Sequence, residues 1–147
     1  MEDLVSINNL NIEARTRAGT LKVVNDLSFT IKKSETLCVV GESGCGKSVT
    51  ALSLMSLLPE GILKVSSGDI LFDNTNLAQL SESEIEGIRG NEISMIFQEP
   101  MTSLNPLFTV GEQVSEVIRR HKNLNKAKAW VNACLLYTSD AADECSC

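Results

Sequence analysis

The most constraining feature of the sequence is a glycine-rich segment, residues 41–48, which reads GESGCGKS. It matches the pattern G-x-x-x-x-G-K-[ST] in full. In such a loop several backbone N–H groups meet the oxygens of one phosphate, and glycine tolerates the close wrap and the unusual dihedral angles. A helix that begins at Lys47 would aim its unpaired N–H groups and positive dipole end at the same anion. The segment therefore predicts a nucleotide phosphate site between a strand and a helix.

The residue types in this segment divide the chemistry between them. The Lys47 ammonium can bridge the β- and γ-phosphates, and the Ser48 hydroxyl can complete a Mg²⁺ shell. The structural alternative is a glycine-rich turn with a surface lysine, and the flanking apolar strand and helix favour the phosphate site. The predicted nucleotide-binding residues are Gly41, Ser43, Gly44, Cys45, Gly46, Lys47, Ser48 and Val49.

Composition limits the other classes of protein. The 147 residues, 43% hydrophobic and 22% charged, suit one globular domain or a piece of a larger one. A net charge of −6 argues against nucleic acid as the main partner. No targeting or membrane-spanning segment is visible, and five cysteines without a pairing framework favour a reducing, cytosolic setting.

Hydrophobic patterning predicts an antiparallel sheet followed by an α/β core. Short half-buried strands are expected at residues 4–7, 10–12, 21–24 and 27–31, with a turn at 18–20. The nearly unbroken apolar run at 36–40 is typical of a strand that is covered on both faces. We expect the next helix to run from Lys47 to about Leu58, ahead of Pro59.

The second half carries two capping-box patterns and a second apolar run. A strand is expected at 68–72, and residues 81–84 open a short acidic helix. Residues 93–97 predict a second buried strand that ends at Gln98. Residues 109–112 open a further helix, whose apolar stripe consists of Val110, Val114, Val117 and Ile118. From Cys134 onward neither helical nor strand periodicity is visible.

Three segments resemble one family. The GESGCGKS loop is similar to the P-loop of ATP-binding cassette (ABC) transporter ATPases. The run ISMIFQEPMTSLNP at 93–106, followed by VGEQ at 110–113, strongly resembles the Q-loop region of one branch. That branch imports oligopeptides, dipeptides, glutathione or nickel. The run VNDLSF at 24–29 also fits the family, and the likeness covers about residues 3–133.

The resemblance implies an α/β fold, a P-loop NTPase core with an N-terminal antiparallel β subdomain. It implies ATP and Mg²⁺ as cofactors and ATP hydrolysis by the parent protein, with Lys47 and Gln98 as catalytic residues. Gln98 would be the Q-loop glutamine, which serves Mg²⁺ together with Ser48 and couples to the permease. The implied partners are transmembrane permease subunits and a second ATP-binding subunit, at the cytoplasmic face of the plasma membrane.

The sequence also departs from the family. Ala14 stands where an aromatic residue usually stacks on adenine, and Val49 stands where many relatives have threonine. The signature motif, the Walker B strand and the switch histidine are absent from the sequence. We therefore interpret residues 1–133 as the N-terminal part of an ATPase domain and 134–147 as a non-native tail. On this interpretation the chain alone is inactive in hydrolysis.

Other classes of P-loop protein carry motifs of their own. Residues 125–128 read NKAK and fail the N-K-x-D guanine reader, and no D-x-x-G switch occurs, which makes a GTPase a poor fit. A small P-loop phosphotransferase stays open, because its lid arginines form no motif that can be tested here. A truncated fragment that binds nothing is the third alternative.

Overall fold

The computed structural model describes residues 2–98 and 103–144, the last eight of these by their backbone. The chain divides into two compact units, Met1–Glu86 and Gly87–Cys147.

The first unit is built on a four-stranded antiparallel sheet. Its strands are β1 (Asp3–Thr16), β2 (Gly19–Lys32), β3 (Leu63–Phe72) and β4 (Thr75–Asn76), in the order β2-β1-β3-β4. Each neighbouring pair is antiparallel, which confirms the predicted antiparallel subdomain. The fully buried aliphatic side chains that form its core are Ile7, Leu10, Ile12, Ile70, Leu77 and Ile85.

The four short strands that the sequence predicts before the loop are joined in pairs, and each pair forms one long strand in the structure. Residues 4–7 and 10–12 both lie in β1, and 21–24 and 27–31 both lie in β2. The polar residues between them form bulges, where Asn9 (φ 47) and Asp26 (φ 51) are left-handed. Polar residues at these positions suggested strand ends, but a bulge absorbs them without ending the ladder. The hairpin turn lies at residues 17–18, one residue earlier than expected.

The third strand starts earlier than the sequence suggested. β3 begins at Leu63, whereas the expected start was Gly68. Gly68 (φ 94) lies within the strand at a bulge opposite β1. A glycine inside a strand often marks such a bulge, so Gly68 is a bulge residue and not the strand boundary that the sequence predicts.

The helix after the glycine-rich loop is shorter than expected. α1 runs over Lys47–Leu54 and stops before Leu58. Ser56 is left-handed (φ 51), its N–H donates to Ser53 O (3.1 Å), and Leu57 N–H donates to Leu52 O (2.9 Å). This pairing is a Schellman motif. The helix is therefore closed by its own carbonyls, and Pro59 is not needed to end it.

The apolar run at 36–40 does not form the buried strand that the sequence predicts. Residues 35–40 have no regular secondary structure, and Val40 is 88% exposed. Within the described residues no strand pairs with this run. A strand is held by hydrogen bonds to a neighbour, so an apolar pattern without that neighbour does not become a ladder.

The predicted strand at 93–97 is also absent from the second unit. Its one ladder contact is an isolated parallel bridge between Arg89 and Ile93, and Ile96 is 92% exposed. Both predictions of buried strands are therefore wrong for this structure, and for the same physical reason.

The predicted capping box at 109–112 is complete, whereas the one at 81–84 is formed only through its glutamate side chain. Ser81 N–H and Oγ–H donate to Glu84 Oε2 (2.8 and 2.6 Å) ahead of α2 (Glu82–Ile88). Thr109 and Glu112 form the reciprocal pair that opens α3 (Val110–Lys122). Hydrogen bonds from the hydroxyl and N–H of Ser81 lower the pKa of Glu84, because they favour the ionised carboxylate.

A helix that the sequence did not predict closes the second unit. α4 (Lys126–Glu144) packs against α3, and their shared core consists of Val114, Ile118, Leu124, Ala129 and Ala133. Val110 and Val117, expected in the apolar stripe of α3, are instead exposed.

The missed signal for this helix was Asn125. Its side-chain oxygen accepts from Lys128 N–H (3.0 Å), as an N-cap residue does. The backbone stays helical through residues 134–144, where no helical periodicity was visible. The interpretation of 134–147 as non-native stays a prediction.

Candidate phosphate-binding site

The glycine-rich loop combines left-handed backbone with close packing. Gly44 (φ 82) and Gly46 (φ 95) both adopt dihedrals that favour glycine. Gly46 is buried at the start of α1, and a Cβ there would lie 3.0 Å from Val23 O and 3.2 Å from Val24 Cγ2. The loop therefore rests directly on β2, and a side chain at Gly46 would push it away.

The first glycine of the pattern lies directly beneath the fifth residue of the loop. A Cβ on Gly41 would lie 2.7 Å from Cys45 Sγ. The loop thus curls until its fifth residue covers its first, and Cys45 N–H donates to Glu42 O across the turn (3.4 Å).

Lys47 reaches back over this curl. Its Nζ donates to Gly41 O and to Glu42 O, both at 2.7 Å, and lies 3.4 Å from Cys45 Sγ. An ammonium has three N–H donors, and a thiol sulfur is a weak acceptor. The N–H group that faces Cys45 is therefore the one that can turn to a phosphate oxygen at the smallest cost in hydrogen bonding.

The start of α1 is ordered and open to ligands. Thr50 N–H and Oγ–H both donate to Gly46 O (2.8 and 3.0 Å), which fixes the first turn. Ser48 is exposed, and its hydroxyl has no partner among the described residues. Val49 is half-buried and contributes its backbone N–H to the same helix end.

The donor chemistry fits a magnesium–phosphate ligand. Mg²⁺ prefers oxygen and is usually held by one or two protein groups together with substrate phosphates. The described residues contain no group of three or more His, Cys, Asp or Glu side chains able to hold a metal ion. The oxygen donor that the loop itself offers a metal is the exposed Ser48 hydroxyl.

The structure gathers the predicted loop residues and leaves two other predictions open. Residues 41–49 form one continuous loop and helix start in the first unit, and their role as a nucleotide site stays a prediction. Gln98 lies in the second unit, is exposed, and precedes residues 99–102, which lie outside the described part of the chain. Its role at the metal stays a prediction. Ala14 lies in β1, paired with Leu21 and Leu63, and offers only a methyl group.

A groove beside the loop brings in residues that sequence reasoning missed. Its volume is about 450 Å³, and it is mostly apolar. Among the groove residues to which the sequence assigns no role, Asn25 and Leu27 lie in the VNDLSF run of β2, and Val23 directly precedes it. Groove residues from β2 and from the loop include Val23, Asn25, Leu27, Cys45, Gly46 and Lys47.

The chain is similar to proteins of one known family. The family model described as "ABC transporter" matches residues 24–144. The dipeptide transport ATP-binding protein DppD of Bacillus subtilis (strain 168) is 52% identical over 129 residues, which cover 88% of this chain and 38% of the relative. The glutathione import ATP-binding protein GsiA of Escherichia coli O1:K1 / APEC is 44% identical over 136 residues, covering 89% of this chain and 22% of the relative.

A solved structure shares the fold. The dimeric ATP-binding cassette MJ0796, in a post-hydrolysis state bound to ADP and Pi, aligns with a TM-score of 0.75 at 23% identity. The alignment covers 88% of this chain and 54% of that one. The α/β P-loop fold with an antiparallel β subdomain is thus confirmed. The chain spans well under half the length of the curated relatives described above.

Proposed function

This chain belongs to the ABC transporter family, and on that premise we propose that it is the ATP-binding part of an ATPase subunit. The observation that carries the proposal is the loop geometry. Two left-handed glycines, the open start of α1 and the Lys47 ammonium all belong to one short curled segment of the first unit. Such an arrangement is built to hold a phosphate chain.

The residues divide the work as follows. The backbone N–H groups of residues 44–49 and the Lys47 ammonium would hold the phosphates of ATP, and Ser48 would be the loop's ligand to Mg²⁺. Mg²⁺ supplies charge neutralisation at the phosphates when it is bound. Gln98 would complete the metal site and relay nucleotide state to the permease. Hydrolysis belongs to the parent protein, so we expect negligible turnover from this chain alone.

We further propose import of peptides or related small solutes as the process that is powered. Relatives that share about half of their aligned residues with this chain are named for dipeptide, oligopeptide and glutathione transport. The proposed partners are transmembrane permease subunits and a second ATP-binding subunit, met at the cytoplasmic face of the membrane. Of the helices that the structure describes, none has the length and apolar character to cross a bilayer.

Titration with MgATP tests the nucleotide site. We expect Lys47→Ala to weaken MgATP binding by about tenfold or more, because a charge-assisted contact to phosphate is lost. Lys64→Ala is the matched control, since Lys64 is an exposed lysine of the same unit whose Nζ lies 3.7 Å from Glu13. Calorimetric titration of both variants measures the difference. Equal affinities for the two variants, or no binding by the unmodified chain, would count against the proposal.

A further inference from the structure

The sheet of the first unit has a row of left-handed residues across three adjacent strands. They are Asn9 in β1 (φ 47), Asp26 in β2 (φ 51) and Gly68 in β3 (φ 94). The register shows why. β1 carries an extra residue near Asn9, and β2 carries a compensating one near Asp26, which restores the register at Ile12 and Val24. A further shift follows between Ile12 and Glu13. Compensated bulges of this kind redirect a strand without ending it.

Polar side chains hold the two bulges together. Asn9 Nδ2 donates to Asp26 Oδ1 (2.7 Å), and Asp26 N–H donates to Asn11 Oδ1 (3.1 Å). Asn9 N–H donates to Ser28 Oγ (2.8 Å), and Asn11 Nδ2 donates to Asn9 O (2.8 Å). These bonds take the place of the ladder bonds that the bulges interrupt, and Asp26 joins both strands through its side chain and its backbone.

The redirected part of β2 is the part that touches the phosphate loop. Val23 and Val24, just before the bulge, form the surface on which Gly46 rests. Asn25 and Leu27, on either side of Asp26, line the same groove as Lys47. The course of β2 at Asp26 therefore sets the surface against which the loop and the start of α1 are seated.

We propose that Asp26 is a positioning residue for the phosphate loop. Its carboxylate fixes the bulge of β2, and the bulge holds Val23 and Val24 against Gly46, so that the loop keeps the curled shape that phosphate binding requires. The nucleotide part of this inference rests on the proposed function, whereas the mechanical part does not.

The test compares two aspartates of the same sheet. Asp26→Gly removes the carboxylate and keeps the positive φ unstrained. Asp69→Ala removes a carboxylate that accepts from Asn76 Nδ2 at the same 2.7 Å, but on β3, with β1 between it and β2. Asp26→Asn keeps an acceptor for Asn9 and serves as the conservative rescue.

Amide hydrogen exchange without nucleotide is the first readout. We expect Asp26→Gly to raise exchange at residues 44–50, Asp69→Ala to leave it at the level of the unmodified chain, and Asp26→Asn to restore it. Unchanged exchange in Asp26→Gly, or an equal rise in Asp69→Ala, would overturn the inference. If Asp26→Gly does not fold, Asp26→Asn decides the test. Loss of loop protection in Asp26→Asn would overturn the inference, and protection equal to that of the unmodified chain would support it.

MgATP affinity is the second readout. We expect Asp26→Gly to weaken binding about three- to tenfold, and Asp69→Ala to leave it unchanged. Absence of MgATP binding in the unmodified chain would contradict the proposed function and leave the exchange result to decide this inference. Normal affinity in Asp26→Gly together with a loosened loop would contradict the link to nucleotide binding.

Discussion

Two kinds of β-forming sequence in this chain have opposite outcomes. The alternating segments of β1, β2 and β3 form a sheet in which Ile7 and Ile70 are buried opposite each other. The continuous apolar runs at 36–40 and 93–97 stay outside any ladder, with Val40 and Ile96 almost fully exposed. The first kind finds its partners through turns and antiparallel pairing within residues 3–76.

The difference lies in where the partner comes from. Antiparallel strands can be joined by a two-residue hairpin, whereas a parallel strand needs a neighbour delivered by a crossover connection. A continuous apolar run therefore indicates that both faces of the strand are to be covered, but it does not identify the elements that cover them. In this chain the described residues supply no such neighbour. The apolar side chains of these runs therefore stay in water and forgo a burial free energy of about 25 cal/mol per Å².

The largest expected effect comes from crowding the sheet at its bulge. A Cβ on Gly68 would lie 2.5 Å from Asn9 O and 2.6 Å from Leu10 Cα, both backbone atoms, and φ is 94. We expect Gly68→Ala to cost about 4 kcal/mol or more, measured by chemical denaturation. At Gly19 a Cβ meets nothing within 4 Å, so Gly19→Ala should cost only about 1–2 kcal/mol of backbone strain. Equal losses would show that packing at Gly68 is not the cause.

Next in size is the difference between buried and exposed aliphatic side chains. Ile70→Ala should cost about 2–5 kcal/mol, because it removes contacts within the closed core. Val40→Ala should change the free energy of unfolding by no more than about 0.5 kcal/mol. The same denaturation experiment measures both. A large loss in Val40→Ala would mean that the 36–40 run is packed in solution.

Self-association should respond to the exposed runs and not to the sheet. Unpaired apolar strands are templates for pairing with another chain. We expect Val40→Lys and Ile96→Lys each to lower aggregation in light scattering, with little effect on unfolding. Thr30→Lys, an exposed position on β2, is the control and should not change aggregation. Unaltered scattering in all three variants would remove the runs as the cause.

The smallest expected effect concerns the helical second unit and is pH-dependent. The hydroxyl and the N–H of Thr109 donate to Glu112 Oε2 (2.8 and 3.1 Å) and, with a smaller effect of Lys126, lower the pKa of Glu112. Because the folded-state pKa is below the unfolded value of roughly 4.3, this stabilisation is complete above that value. It is lost as pH falls through the folded-state pKa.

Thermal unfolding of Glu112→Gln checks the sign. The variant should melt below the unmodified chain at neutral pH, and the gap should close in acid once Glu112 is protonated in the folded state. Glu116→Gln, one turn further along α3, is the control and should show no such gap. A gap that widens in acid would contradict the assigned direction of the pKa.

Sequence reasoning was strongest where chemistry is local. The left-handed glycines of the loop at 41–48 and the capping box at 109–112 depend on a few consecutive residues and fixed spacings, and they are formed as expected. At 81–84 only the glutamate half of the box is formed. Reasoning was weaker where a polar residue had two possible roles. Asn9 and Asp26 are typical of strand ends, but in the structure they lie at bulges within long strands. Asn125 occupies the first position of a guanine-reader pattern, but in the structure it is the N-cap of α4.

The sequence by itself determined the glycine-rich loop with its left-handed residues, the antiparallel character of the first unit and the family, because each depends on a short-range pattern or on direct likeness. Only the tertiary structure decided that Gly46 rests on Val23 and Val24, that Lys47 folds over Gly41, and that the runs at 36–40 and 93–97 lie open. Whether a side chain is buried depends on which other elements of the fold pack against it. An apolar pattern records only the preference of a side chain to leave water, and the available neighbours decide whether it does.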